Sequence, residues 1–101
     1  MQATMNSVKT KKALGQLDSD GKNFIATFTE EGSSAIASMS YTNDFLYVTF
    51  RKSMQNTYQY MVSEEVRSVL YKEVIDTLVD GEGSVGRKVQ NLIATNQIHL
   101  V

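Results

Sequence analysis

The run Gly83, Ser84, Val85, Gly86, Arg87, Lys88 holds the residue types that grip phosphate. Free amides at a helix N-terminus point at an anion, a serine hydroxyl adds a donor, a glycine permits close backbone approach, and two cations one turn in supply charge. Ser84, Val85, Gly86, Arg87 and Lys88 are therefore the expected ligand-binding residues, joined by Arg51 and Lys52 if the turn after their strand lies nearby. The plainer alternative is a capped helix whose glycine packs against a sheet, because short glycine motifs arise often by chance. Tyr58 and Tyr60 share one strand face, an arrangement on which nucleobases can stack. Val62 follows on that face and directs it towards a helix, which makes core the stronger expectation for both rings.

No catalytic set assembles. Glu30 and Glu31, like Glu64 and Glu65, are sequence neighbours and so badly placed to share acid and base work, and the second pair is already suited to a helix start. His99 has no nucleophile or metal partner in its local sequence. Asp18 and Asp20 lack the further oxygen ligands and closing Glu of a calcium loop, so a solvated turn is expected there. Zero cysteines exclude disulfides and thiolate metal sites. The expectation is a non-enzyme with no catalytic residues, metal or cofactor.

The elements that must position these residues are read from periodicity. Between residues 34 and 62 the chain alternates as a small antiparallel sheet: Leu46, Val48 and Phe50 face one way, Tyr47, Thr49 and Arg51 the other. Breaks at residues 42–44 and 52–56 make this a three-strand meander, and residues 23–29 alternate well enough to add a strand through a hairpin. Ser63 followed by Glu64 and Glu65 marks a helix start. Val66, Val69, Leu70, Val74, Leu78 and Val79 then recur at spacings of three and four, leaving Arg67, Lys72, Glu73 and Asp76 to water. Gly81 suits the left-handed end of that helix. Ser84 caps a second one with the shorter stripe Val85, Val89, Leu92, Ile93. The expected fold is α+β: a three- to four-stranded antiparallel β-meander with two helices packed on one face, and with Leu46, Val48, Phe50, Val66 and Leu70 buried together. Residues 1–7 are expected to fray, and residues 8–17 fit a short helix or an edge strand. Ile98, Leu100 and Val101 are left over as apolar residues in need of a surface, which points to self-association.

A chain of 101 residues is expected to be one folding unit, and a formal net charge of -1 gives no basic signature for strong non-specific nucleic-acid binding. Lys9, Lys11 and Lys12 in a polar terminus are the ordinary solvated kind. No stretch approaches the roughly 20 apolar residues of a membrane span, and the polar start lacks the apolar core of a signal peptide, so a cytoplasmic location is expected.

Ser34, Ala35 and Ile36 followed by Tyr41, then Leu46, Tyr47, Val48, Thr49, Phe50, then Tyr58, Gln59, Tyr60 leading into a helix, and finally Ser84, Val85, Gly86 opening another, resemble the KTSC domain. That family is a short module of lysyl-tRNA synthetase C-termini and stand-alone bacterial and phage proteins. The resemblance covers residues 33–93. Ser63 stands where the family usually has proline, the first helix is longer, and Val89 and Gln90 replace the usual Phe-Asn pair. It implies a division into an N-terminal segment, residues 1–22, and a KTSC-like domain, residues 23–101. Cradle and resemblance together lead to a non-enzymatic small-ligand binding protein of the kind a phage would use to sequester a nucleotide or cyclic oligonucleotide immune signal. It would be a homo-oligomer in the cytoplasm, the host's if phage-encoded. An RNA-binding accessory module, as the synthetase association implies, and a protein–protein interaction module are the alternatives.

Overall fold

Buried and exposed positions alternate strictly over residues 15–19 and 24–28. The computed structural model describes residues 5–101, and the expected fraying of residues 1–4 lies outside them. Seven strands, β1 (Asn6–Val8), β2 (Gly15–Ser19), β3 (Phe24–Phe28), β4 (Ile36–Thr42), β5 (Phe45–Phe50), β6 (Tyr58–Val62) and β7 (Ile98–Leu100), form one antiparallel sheet in sequence order. A three- to four-stranded sheet is thus an undercount. β3 to β6 are the strands that periodicity reveals; β1, β2 and β7 extend the sheet on both sides.

Short connections set the order. Asn43 and Asp44 both adopt positive φ, 52° and 73°, and so make the two-residue turn whose twist matches the strands it joins, β4 and β5. Asp20 shapes the β2–β3 turn by accepting the Lys22 amide at 2.9 Å and the Asn23 amide at 2.7 Å on one carboxylate oxygen. Between β6 and β7 the chain makes its two helices, α1 (Glu64–Ile75) and α2 (Val85–Ala94). Ser63 caps α1 by accepting the Val66 amide at 3.3 Å. The helix widens into a π-turn over Asp76–Asp80 and stops at Gly81, whose φ of 70° is the left-handed end expected there.

One hydrophobic cluster joins the inward residues of the strands to Leu70, Val74 and Leu78 of the first helical segment and to Val85, Val89 and Leu92 of α2. Leu46, Val48 and Leu70 are fully buried at its centre, with Phe50 and Val66 partly buried against it. The α1 stripe is rotated from the expected one. Val69 is exposed, Tyr71 packs into the cluster against Phe24, and Arg67 lies over the Tyr41 ring, 5.9 Å from its centre, and is not left to water.

Three expectations are corrected, two by the added strands and one by a turn at the end of β5. Asn6 and Ser7 belong to the edge strand β1 and are not frayed. Ile98 is not surplus, because β7 pairs with β6 and buries it opposite Val62; only Leu100 and Val101 stay exposed. Arg51 leaves the strand in a 3-10 turn, Arg51–Ser53, so its side chain does not continue the face of Tyr47 and Thr49. No helix among the described residues is long and apolar enough to cross a membrane.

Candidate functional site: a groove along the second helix

The start of α2 is built as its sequence demands. Gly83 sits at φ 74°, and Ser84 then takes an extended conformation and accepts the Arg87 amide on its hydroxyl at 3.2 Å. The anion expected at these amides is already present within the chain. Glu73, reaching across from α1, accepts the Ser84 amide on Oε2 at 3.0 Å. A side chain at residue 83 would collide with that carboxylate, so Gly83 is needed for the closeness of the contact as well as for its backbone. The Glu73 charge complements the positive end of α2 as a bound phosphate would.

Val85 and Gly86 are buried and bring no side-chain chemistry to the surface. A Cβ at Gly86 would stand 3.1 Å from the Ala35 side chain, so this glycine lets α2 lie close against the chain just before β4. Arg87 and Lys88 face a recess of about 590 Å³ together with Glu73, Ser84 and Asn91. A second recess of about 520 Å³ shares Gly83, Ser84 and Arg87 with it and continues over Ser34, Ala35 and Gln90, with Glu30 and Glu31 on its rim. A third, about 550 Å³, shares Ser34, Ala35 and Gln90 with the second and ends among Phe50, Lys52, Tyr58, Tyr60 and Ile93. Each recess adjoins the next through shared lining residues, and the three together are treated as a groove along α2.

Of the expected residues, Ser84, Arg87 and Lys88 meet at one end of this groove, and Lys52 stands at the other. Arg51 joins neither end. Its Nη2 donates to the carbonyls of Phe28, Ser33 and Ile36 at 3.0, 2.9 and 3.1 Å, and its own amide donates to Ala35. It is a positioning residue that ties down the loop forming the groove's wall.

The far end is aromatic. Phe50 and Tyr58 meet edge to face with centroids 5.8 Å apart, and Tyr58 is half-buried, so both expected roles, packing and lining, fall on one residue. Burial first, and Tyr58 beside it second, push the Tyr60 phenol above its ordinary value. Sequence reasoning missed Glu73, Gln90 and Ile93 as groove residues. Ile93 packs against the core as its stripe position predicts and lines the groove as well, and no local pattern links Glu73 to an amide eleven residues later. Among the described residues no cluster of three His, Asp or Glu side chains is placed to hold a metal ion. Compared with protein-family models, curated proteins and solved structures, the chain has no match in any of the three.

Proposed function

We propose that this chain is a non-enzymatic binding protein for a phosphorylated small ligand of nucleotide type, held in the groove along α2. The observation that carries the reading is the succession of adjoining recesses along α2. It has an aromatic and aliphatic recess at one end, where a planar base fits against Tyr58 and Ile93, and the cations Arg87 and Lys88 at the other, with Lys52 beside the aromatic end. Cations at both ends favour a ligand with more than one phosphate, which is the reason a cyclic or linear oligonucleotide signal is preferred to a mononucleotide. Glu30, Glu31 and Glu73 along the same groove disfavour a long polyanion, and net charge of -1 adds nothing to attract one, which ranks RNA second.

Membership of the KTSC family belongs to this proposal. Of the residues that carry the resemblance, Ser34, Ala35, Phe50, Tyr58, Tyr60, Ser84 and Gly86 line the groove. A homo-oligomer, a cytoplasmic setting and a role in sequestering an immune signal, as a phage anti-defence protein would, complete the reading.

Titration calorimetry with cyclic dinucleotides, linear dinucleotides and short RNA tests it. The expected result is binding of a dinucleotide-sized ligand that weakens at least tenfold in Arg87→Glu, since the reversal removes a charge-assisted contact and adds a repulsion, together on the order of 2 kcal/mol. The melting temperature should hardly change because Arg87 is exposed. Absence of binding to wild type, or affinity indifferent to the reversal, refutes the groove; preference for longer RNA favours the second reading.

A further inference from the structure

The two edges of the sheet are unlike. β1 is followed at once by Lys9, and a lysine beside an edge discourages pairing with another strand, whereas Lys11 turns away to the Asp80 carbonyl. Residues 98–101 read Ile-His-Leu-Val, with no Lys, Arg, Asp, Glu or Pro, and Leu100 and Val101 are 62% and 67% exposed. The Val101 amide donates to the Gln59 carbonyl at 2.9 Å, and β7 pairs Leu100 with Tyr60, His99 with Met61 and Ile98 with Val62. Antiparallel ladders alternate the residues that turn their backbone groups to a given neighbour. With Val101 turned to β6, His99 is too, and the N–H and C=O groups of Ile98 and Leu100 point out from the free edge.

We propose that this edge pairs antiparallel with the same edge of a second copy of the chain, about a two-fold axis at His99. The two seven-stranded sheets then run on as one. Ile98 faces the partner's Leu100 and exchanges two hydrogen bonds with it, Leu100 does the same with the partner's Ile98, and the four outward backbone groups of each strand are all used. The edge is self-complementary because residues 98–101 carry no Lys, Arg, Asp or Glu side chain to set like charges against one another. Exposed Leu100 gains an apolar cross-strand neighbour. This contact deepens the self-association of the proposal above and is independent of its ligand, so it is tested on ligand-free protein.

Sedimentation of the wild type should give a dimer at tens of micromolar. Leu100→Pro removes an N–H that β6 does not use, so the fold should persist by circular dichroism while the dimer dissociation constant rises at least about 100-fold. Leu100→Lys, which places a charge on the edge, should act the same way and guards against a proline that disturbs folding. The chain has no cysteine, so His99→Cys introduces a single thiol opposite its own copy, with Cα atoms about 4.5 Å apart, within disulfide reach. It should cross-link under mild oxidation at least about tenfold faster than Thr27→Cys, an exposed position on β3. A wild type that stays monomeric, a dimer unmoved by both Leu100 variants, or cross-linking no faster than the Thr27→Cys control overturns the proposal. None of these outcomes bears on ligand binding by the groove.

Discussion

Glu73 governs how the groove meets an anion. Its carboxylate holds the Ser84 amide and stands beside Arg87 and Lys88, so it stabilises the α2 terminus and competes there with any incoming phosphate. Glu73→Gln keeps an oxygen for the amide and removes the charge. We expect affinity for a phosphorylated ligand to rise about threefold to tenfold while unfolding free energy falls by no more than about 1 kcal/mol, measured by titration and by urea denaturation. Thr77 poses the opposite case, a buried hydroxyl in the π-turn with no hydrogen-bond partner. Leaving such a group unpaired costs about 1 to 3 kcal/mol, so Thr77→Val, of nearly the same shape, should stabilise by about 1 kcal/mol and raise the melting temperature by roughly 4 °C. An unchanged or lower melting temperature would show that the hydroxyl is satisfied in solution.

Turns and short strands decide what could be read from the sequence at the level of elements. The four strands β3 to β6 announce themselves because their buried positions are apolar and mostly large, such as Phe24 and Phe28 in β3. β2 buries Gly15, Leu17 and Ser19, a pattern with a single large apolar residue, so its alternation is invisible to hydrophobic periodicity. Gly15 is small because Leu78 of the π-turn and the Thr27 carbonyl press on it, a tertiary cause with no local signal. β1 and β7, three residues each, are too short to show a period at all. Caps were legible and their tertiary partners were not: Ser84 caps α2 as its sequence says, but Glu73 and the Arg51 ties arrive from distant elements.

The β2–β3 turn also carries a pH signature. The Lys22 and Asn23 amides hold the Asp20 carboxyl below its ordinary value of 3.8, and hydrogen bonding by Arg67 holds Glu64 below its ordinary 4.5. A carboxyl with a depressed folded value contributes stability that is whole above its unfolded value and is lost as pH falls through the folded one. Wild type should therefore lose stability in melts carried below about pH 4. Asp20→Asn retains an acceptor for the two amides but cannot titrate, so its melting temperature should fall less over the same range. Parallel acid profiles for the two proteins would remove Asp20 from the account.

At the scale of the whole molecule, every strand neighbours the next in sequence, and the one long excursion, α1 and α2 between β6 and β7, is folded back over the sheet. Both helices and the sheet share a single cluster. Val48 lies fully buried in β5, opposite Met39 of β4 on one side and Tyr58 of β6 on the other. An aspartate there has no cation among the cluster residues to pair with, and it must either ionise in an apolar setting or bind a proton, at a cost of several kcal/mol in either case. Domains of this size hold a net stability of about 5 to 15 kcal/mol, so Val48→Asp should leave the chain unfolded or aggregated at 25 °C. Val48→Ala removes only packing and should remain folded with a loss of about 1 to 3 kcal/mol. Circular dichroism and thermal melts of the two variants separate charge burial from cavity formation. A soluble Val48→Asp protein that melts like wild type would place β5 with its other face to the helices, and the whole register of the sheet would have to shift by one residue.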